Sequence, residues 1–319
     1  MDNEPLITKD LTGMIVKEFN FLSKRYVALA ISVILLLTSL AALTFKGLNP
    51  GIDFTGGFSV EVSFQEPPVI SEIRDELASG GFPEAIVQSF GSSKDINIRI
   101  MPRENIDNKA IGKQIEEILN YSANAVELRG SEFVSPQVGD ELTEQGGLAM
   151  LFALMMIMIY IIFRFQWKFA IGAVVALIHD VIITMGVFSV FQISFDLAVL
   201  AAILAVVGYS LNDTIVVFDR IRENFRLRRK EQTLDIINAS INQTISRTII
   251  TSGTTLLVLF TLYIIGGKSL EGFSLALIIG VVIGTYSSIY VATTSVLFLD
   301  VSTTDLMLIK KEKVDDGMP

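Results

Sequence analysis

Six uninterrupted apolar runs, each long enough to cross a bilayer, constrain this chain more than any other feature. They cover about residues 26–45, 147–163, 169–191, 195–218, 248–265 and 270–299. A hydrocarbon layer about 30 Å thick takes about 20 such residues as a helix. Within it each backbone N–H and C=O must be satisfied inside its own segment, which leaves the helix as the available form. The expected architecture is an α-helical membrane protein with six transmembrane helices. Composition agrees: 51% of the 319 residues are hydrophobic and 18% are charged, against roughly 25% charged in soluble domains. The first run contains Ser39-Leu40-Ala41, the small-x-small pattern of a leader cleavage site. Its length exceeds the roughly 7 to 15 residues of a leader's apolar core, so it reads as an uncleaved span.

Between the first and second runs, residues 46–143 turn polar and carry their own period. Phe58 to Phe64 alternates as a strand, and Pro68 to Ser79 has helical spacing at Ile70, Ile73 and Leu77, stopped by Gly80-Gly81. Strands follow near Ala85 to Phe90 and Ile96 to Met101. A helix over Asn108 to Leu119 aligns Ile111, Ile115 and Ile118, and a last strand runs near Ala125 to Phe133. The order β-α-β-β-α-β predicts a ferredoxin-like α+β domain between helices 1 and 2, with two helices covering one face of a sheet. The polar gap 219–247 places Leu234, Ile237, Ile241 and Ile245 at helical spacing, which predicts an amphipathic helix lying along the membrane surface.

Charge orients the chain. Lys17, Lys24 and Arg25 precede the first run; Arg164 and Lys168 separate the second from the third. A cluster from Arg220 to Lys230 follows the fourth, and Lys310, Lys311 and Lys313 follow the sixth. All four groups fall on one side, whereas the short opposite loops hold only Lys268. By the positive-inside rule the N-terminal segment 1–25, the segment 219–247 and the tail 300–319 are cytoplasmic, and 46–143 is external. The formal charge of −9 is segregated along the chain and by itself implies no partner.

Polar groups inside the runs are the candidates for function. Asp213 interrupts the fourth run, and a charged side chain at mid-bilayer costs at least about 2.5 kcal/mol, so such a residue faces a partner or a water-filled path. Tyr209, Asn212 and Thr214 surround it with hydrogen-bonding groups. Asn212 has the alternative of joining helices, as polar side chains between spans do. His179 and Asp180 sit near the middle of the third run, about 100° apart around a helix, so they do not squarely face one point. A proton relay and a structural hydrogen bond to a neighbouring span are both open for them. Arg247, at the inner end of the fifth run, could pair with Asp213 and hold it ionised, or serve as an interfacial anchor. Gly280 and Gly284 form a GxxxG, followed by Thr285, Ser287 and Ser288, which predicts close helix packing.

Several classes of chemistry are excluded. Zero cysteines preclude disulfides and thiol catalysis, and one histidine precludes a multi-histidine metal site within the chain. Gly266-Gly267-Lys268-Ser269 imitates the end of a phosphate-binding loop, but Leu262 stands where the leading glycine belongs. Without a dinucleotide fingerprint or a nucleophile–base pair, no cofactor, nucleotide, nucleic acid or enzymatic reaction is expected. Energy would come from an ion gradient or a partner.

Longer motifs in order carry a resemblance. They are Gly51-Ile-Asp-Phe-Thr-Gly-Gly57, Val138-Gly-Asp-Glu-Leu142, Ala176-Leu-Ile-His-Asp-Val181, and Gly208-Tyr-Ser-Leu-Asn-Asp-Thr214 continuing through Phe218-Asp-Arg-Ile-Arg-Glu-Asn224. Ser246-Arg-Thr-Ile-Ile-Thr-Ser-Gly-Thr-Thr255, Glu271-Gly-Phe-Ser274 and Ser288-Ile-Tyr-Val-Ala292 complete the set. Over nearly its whole length the chain resembles the SecF branch of the SecD/SecF family of bacterial protein-export subunits, relatives of the resistance-nodulation-division transporters. The resemblance implies an inner-membrane subunit that pairs with SecD as a pseudo-symmetric half beside the SecYEG channel, with YajC as an accessory and the translocating preprotein as the cargo. It further implies that Asp213 and Arg247 belong to proton-coupled function, together with an acid from SecD, and that the proton-motive force helps complete export. Two other readings stay open: a half-transporter of small molecules or lipids, and a non-conducting scaffold for SecD. The coupling ion, proton or sodium, is also open.

Overall fold

The structure, a computed structural model, describes residues 6–9, 15–90, 92–102, 110–120 and 124–301. Two short strands, β1 (Leu6–Lys9) and β2 (Ile15–Glu18), pair as a hairpin ahead of a 3-10 turn at Phe21–Lys24. The first span is α1 (Arg25–Phe45). After it come a two-residue strand β3 (Asn49–Pro50) and a single turn α2 (Ile52–Thr55).

The α+β domain follows as β4 (Gly57–Phe64), α3 (Ile70–Ser79), β5 (Ile86–Phe90), β6 (Ser92–Ile100), α4 (Ile111–Leu119) and β7 (Val126–Val134). The sheet order is β5-β6-β4-β7 with all neighbours antiparallel, which is the ferredoxin-like topology. Its core joins Phe58, Val60 and Val62 of the central strand to Ile73 and Leu77 of α3 and Ile111, Ile115 and Leu119 of α4. The alternation along β4 and the three-four spacing of the two helices are what send these side chains to one face. The expected start of the second helix, 108, falls outside the described residues.

The remaining spans are α5 (Pro136–Arg164), α6 (Trp167–Phe191), α7 (Leu197–Leu227) and α8 (Thr233–Ile265), with β8 (Ser194–Phe195) between α6 and α7. The sixth span is α9 (Lys268–Ser287), a π-helical turn at Ser288–Ala292, and α10 (Thr293–Phe298). Six helical segments are thus long and apolar enough to cross a membrane. Half of the apolar window of α6, of α7 and of the sixth span is buried, against 17% for α1 and α8 and 6% for α5. The inner helices are therefore α6, α7 and α9–α10, and these carry the two buried carboxylates and the buried histidine together with several buried hydroxyls.

Three helices outrun their apolar runs. α5 begins at Pro136, ahead of the expected 147, because Ser135 caps it by accepting from the Val138 N–H and proline occupies the first turn. The segment 219–247 is not a separate surface helix. Its first part continues α7 to Leu227 and its last part opens α8, and the two run back to back. Asn224 donates to Ser240 at 2.8 Å and to Gln243 at 2.9 Å across this hairpin. Ile237 and Ile241 are buried in the main core with Leu22, Phe218 and Phe225, and Leu234 and Ile245 pack against it. An apolar stripe satisfies its burial against protein as readily as against lipid, so its period alone does not say which it meets.

Residues 49–57 join the domain to the bundle. β3 pairs in parallel with β8, and Gly51 N–H donates to Phe195 O at 2.7 Å. Asp53 accepts from the Leu197 N–H at 3.0 Å, the first residue of α7. Arg99 of β6 donates to Pro50 O and to Asn49 Oδ1, both at 2.6 Å. α2 sits against the start of α5, where Gly139 faces Phe54 O and Gly56 N so closely that a Cβ would meet them at 3.0 and 2.8 Å.

Candidate functional site

Asp180 of α6 is fully buried and fully engaged. Its Oδ1 lies 2.9 Å from His179 Nδ1, and its Oδ2 accepts from Ser210 of α7 at 2.5 Å and from Ser287 of α9 at 2.7 Å. An ionised carboxylate only accepts, which puts the imidazole proton on Nδ1. His179 Nε2 is then a buried atom without a partner. The ring lies along Tyr286, with centroids 6.3 Å apart and planes at 27°. Tyr286 in turn donates to Ala28 O of α1 at 2.6 Å and meets Ser32 at 3.1 Å. One carboxylate thus ties α6, α7 and α9 together, and the stacked tyrosine extends the tie to α1. The expectation that His179 and Asp180 do not face one point is corrected here. Their backbones diverge, but the two side chains rotate toward each other and meet.

Asp213 of α7 presents the opposite situation. It is 3% exposed, and its Oδ2 has no hydrogen-bond partner. Arg247 and Ser252 of α8 are the groups that bear on it electrostatically. Arg247 is exposed, and among the described residues it forms no ion pair with Asp213, contrary to the expectation. Tyr209 donates to Ser252 at 3.5 Å, and Ser252 meets Thr285 of α9 at 2.7 Å. Asn212 is exposed on the outer face of α7, away from the inner helices. Thr214 and Ser288 hydroxyls meet at 2.8 Å, and Ser288 also donates to Ser210 O at 3.4 Å.

The close approach of α9 to α7 comes from small residues. A Cβ at Gly280 would overlap the Val206 side chain, and one at Gly284 would lie 2.9 Å from Ser210 Cβ. Gly284 thereby sets how near Ser287 comes to Ser210, and so lets both hydroxyls reach the same carboxylate oxygen. The π-helical turn begins at Ser288, next to this contact. Such turns rotate the following residues relative to an α-helix and recur at functional sites. The sequence gives no signal for it.

Ser210 and Tyr286 are site residues that the sequence does not single out, since hydroxyls are ordinary in membrane helices, and Ser287 and Ser288 stand out in it only as packing residues. Ser210, three residues before Asp213 and hence on the same side of α7, is the one that spacing could have found. At the domain-side end of α7, Asp196 caps the helix by accepting from the Val199 N–H at 2.8 Å. Burial pushes its carboxyl above the usual range, the Val199 hydrogen bond opposes this, and the nearby Asp53 adds to it.

What this arrangement can do chemically follows from the contrast between its two carboxylates. Asp180 has a hydrogen-bond partner at each oxygen. Asp213 has a buried oxygen without a hydrogen-bond partner, and Arg247 stands on the neighbouring helix. The first is held by partners on three helices, and the second has an oxygen without one.

Two family models match the chain, "Protein export membrane protein SecD/SecF, C-terminal" over residues 114–302 and "SecD/SecF GG Motif" over residues 41–68. The chain is 50% identical over 307 residues to the protein translocase subunit SecF of Vibrio alginolyticus, covering 95% of this chain and 98% of that one. It is 49% identical over 300 residues to the corresponding subunit of Pseudomonas aeruginosa, covering 93% and 97%. Among solved structures it is similar to SecDF of Thermus thermophilus, a translocon-associated membrane protein, with a TM-score of 0.80 at 36% identity. That alignment covers 89% of this chain and 39% of the longer SecDF chain.

Proposed function

The chain belongs to the SecD/SecF family of protein-export membrane proteins, and from that premise we propose that it couples the proton-motive force to the completion of preprotein translocation across the bacterial inner membrane. Its curated relatives are protein translocase subunits, and the chain itself is a multi-pass membrane protein. In this reading both termini are cytoplasmic and residues 46–143 are periplasmic, in keeping with the one-sided distribution of basic residues. SecD supplies the other half, the SecYEG channel and YajC are neighbours, and the emerging preprotein is the cargo. The solved relative is named SecDF, and the alignment covers 39% of its chain, which supports the pairing.

The observation that carries the proposal is the buried carboxylate of Asp213 with an unpartnered oxygen inside a span. When protonated, Asp213 is a neutral group in a neutral surrounding. When ionised, it draws on Arg247, Ser252 and any water admitted from the cytoplasmic side. Each change of state alters the force between α7 and α8. One proton moving through 100 mV releases about 2.3 kcal/mol, enough to shift a two-state equilibrium by a factor of about fifty. Asp180, held from three sides, ties this part of α7 to α6 and α9, with His179 beside it. Tyr209 belongs to the coupling set through its contact with Ser252, while Asn212 faces outward, where a partner half would lie.

The test is export into inverted vesicles that contain SecD and SecYEG. Asp213→Asn removes the titratable group while keeping its size, and gradient-dependent export should fall to the gradient-free level. Export that still responds fully to the gradient in this variant would sink the proposal.

A further inference from the structure

The geometry points to Asp53 and Arg99 as positioning residues that connect movement of α7 to the α+β domain. The inference rests on the proton-coupled reading of Asp213 and gives it an output.

α7 is a single rigid helix that carries Asp213 along its buried face and begins at Leu197. Its first backbone N–H groups have no partner within the helix and need one from outside. Asp196 supplies one acceptor from within the same chain segment, at Val199. The acceptor for Leu197 comes from elsewhere: the Asp53 carboxylate, 144 residues earlier. A negative group at a helix N-terminus is favoured by the helix dipole, and a charge-assisted bond is both shorter and stronger than a neutral one. Asp53 therefore holds the end of α7 directionally, and axial or rotational displacement of α7 pulls on it.

The pull has somewhere to go. Asp53 lies in α2, and two residues after that turn Gly57 opens β4, the central strand of the domain sheet. Gly57 has φ +118, and a Cβ there would strike Ile100 O, so the joint is tight backbone rather than a flexible linker. A second connection runs in parallel. Arg99 of β6 grips Asn49 and Pro50 from the domain side, and it also donates to Gln88 of β5 at 3.0 Å. Asn49 and Pro50 pair with Ser194 and Phe195, directly before α7. Phe54 stacks near Phe195, with centroids 5.9 Å apart, between the two connections. The start of α7 is thus tied to the two central strands of the domain at two points, one through Asp53 and one through Arg99. α5 meets the same joint, since it continues from β7 through Ser135 and its Gly139 packs on Phe54 and Gly56.

The experiment uses the full chain reconstituted with SecD and SecYEG. Because the chain has no cysteine, spin labels can be placed by Glu84→Cys in the domain and Ile264→Cys at the exposed end of α8. Imposing a proton gradient should change the label-to-label distance in the otherwise unaltered chain. Asp53→Ala should reduce that change at least fivefold, and so should Arg99→Met, which leaves the α7 cap alone. Protease resistance of the domain should stay as it was, and Asp53→Asn, which retains an acceptor oxygen, should recover at least half of the change. A full gradient response in both the Asp53→Ala and Arg99→Met chains overturns the inference while leaving the role of Asp213 intact. Absence of any response in the unaltered chain overturns both, and the Asp213→Asn export assay reports on that reading separately.

Discussion

Asp180→Ala gives the sharpest test of how the inner helices are held. The substitution removes one carboxylate and strands three partners: His179 Nδ1, Ser210 Oγ and Ser287 Oγ. Interhelical hydrogen bonds in membrane proteins average about 0.6 kcal/mol and reach about 1.7. Three of them give about 2 kcal/mol at the average and about 5 at the maximum. The partners are not equal. Ser287 also shares its proton with Gly284 O at 3.2 Å, so it keeps an acceptor when the carboxylate is gone. Ser210 makes the shorter bond, 2.5 Å, and has no other acceptor of that kind. Double-mutant cycles should therefore show stronger coupling of Asp180 to Ser210 than to Ser287, about 1.7 against about 0.6 kcal/mol. The assay is equilibrium unfolding in mixed detergent micelles, with Asp180→Asn as a control that keeps an acceptor oxygen and should cost less than half as much. A loss below about 0.5 kcal/mol for Asp180→Ala, the range of an unremarkable surface change, or a reversed order of the two couplings would refute the description of Asp180 as a three-way tie.

Two further outcomes follow from the same geometry. Ile237→Ala, in the first part of α8, should lower stability by about 2 to 5 kcal/mol because it empties a filled core site; a change near zero in a thermal melt would return this segment to the lipid surface. Asp196→Asn should remove a pH dependence at the start of α7. The carboxyl of Asp196 is raised by burial, so the folded state holds its proton more tightly than the unfolded one. Stability from this group is then fully present below its ordinary range and is lost as pH rises through the raised value. The protection factor of the Val199 N–H, from which the intrinsic rise of exchange with pH has been divided out, should fall over that window in the natural chain and stay level in Asp196→Asn. An equal fall in both would show that another group titrates there.

The six spans and the α+β domain could be read along the chain because each depends on local period. Runs of about 20 apolar residues have no alternative in a bilayer but a helix, and alternation in β4 against three-four spacing in α3 and α4 is set by backbone geometry alone. The isolation of Asp213 was legible for the same reason: a carboxylate in an apolar run is out of place whatever surrounds it. Partnership was not legible. That Asp180 is satisfied on every side and Asp213 is not depends on which hydroxyls α7 and α9 bring to each, and this is fixed by the crossing at Gly280 and Gly284. The exposure of Arg247, the meeting of His179 with Asp180 and the packing of Ile237 and Ile241 against protein belong to the same class. So does the reach of Asp53 to Leu197, a contact between residues 144 apart. Sequence determines what each segment must hide or satisfy; only the packed helices decide which group, among many of like chemistry, does the satisfying.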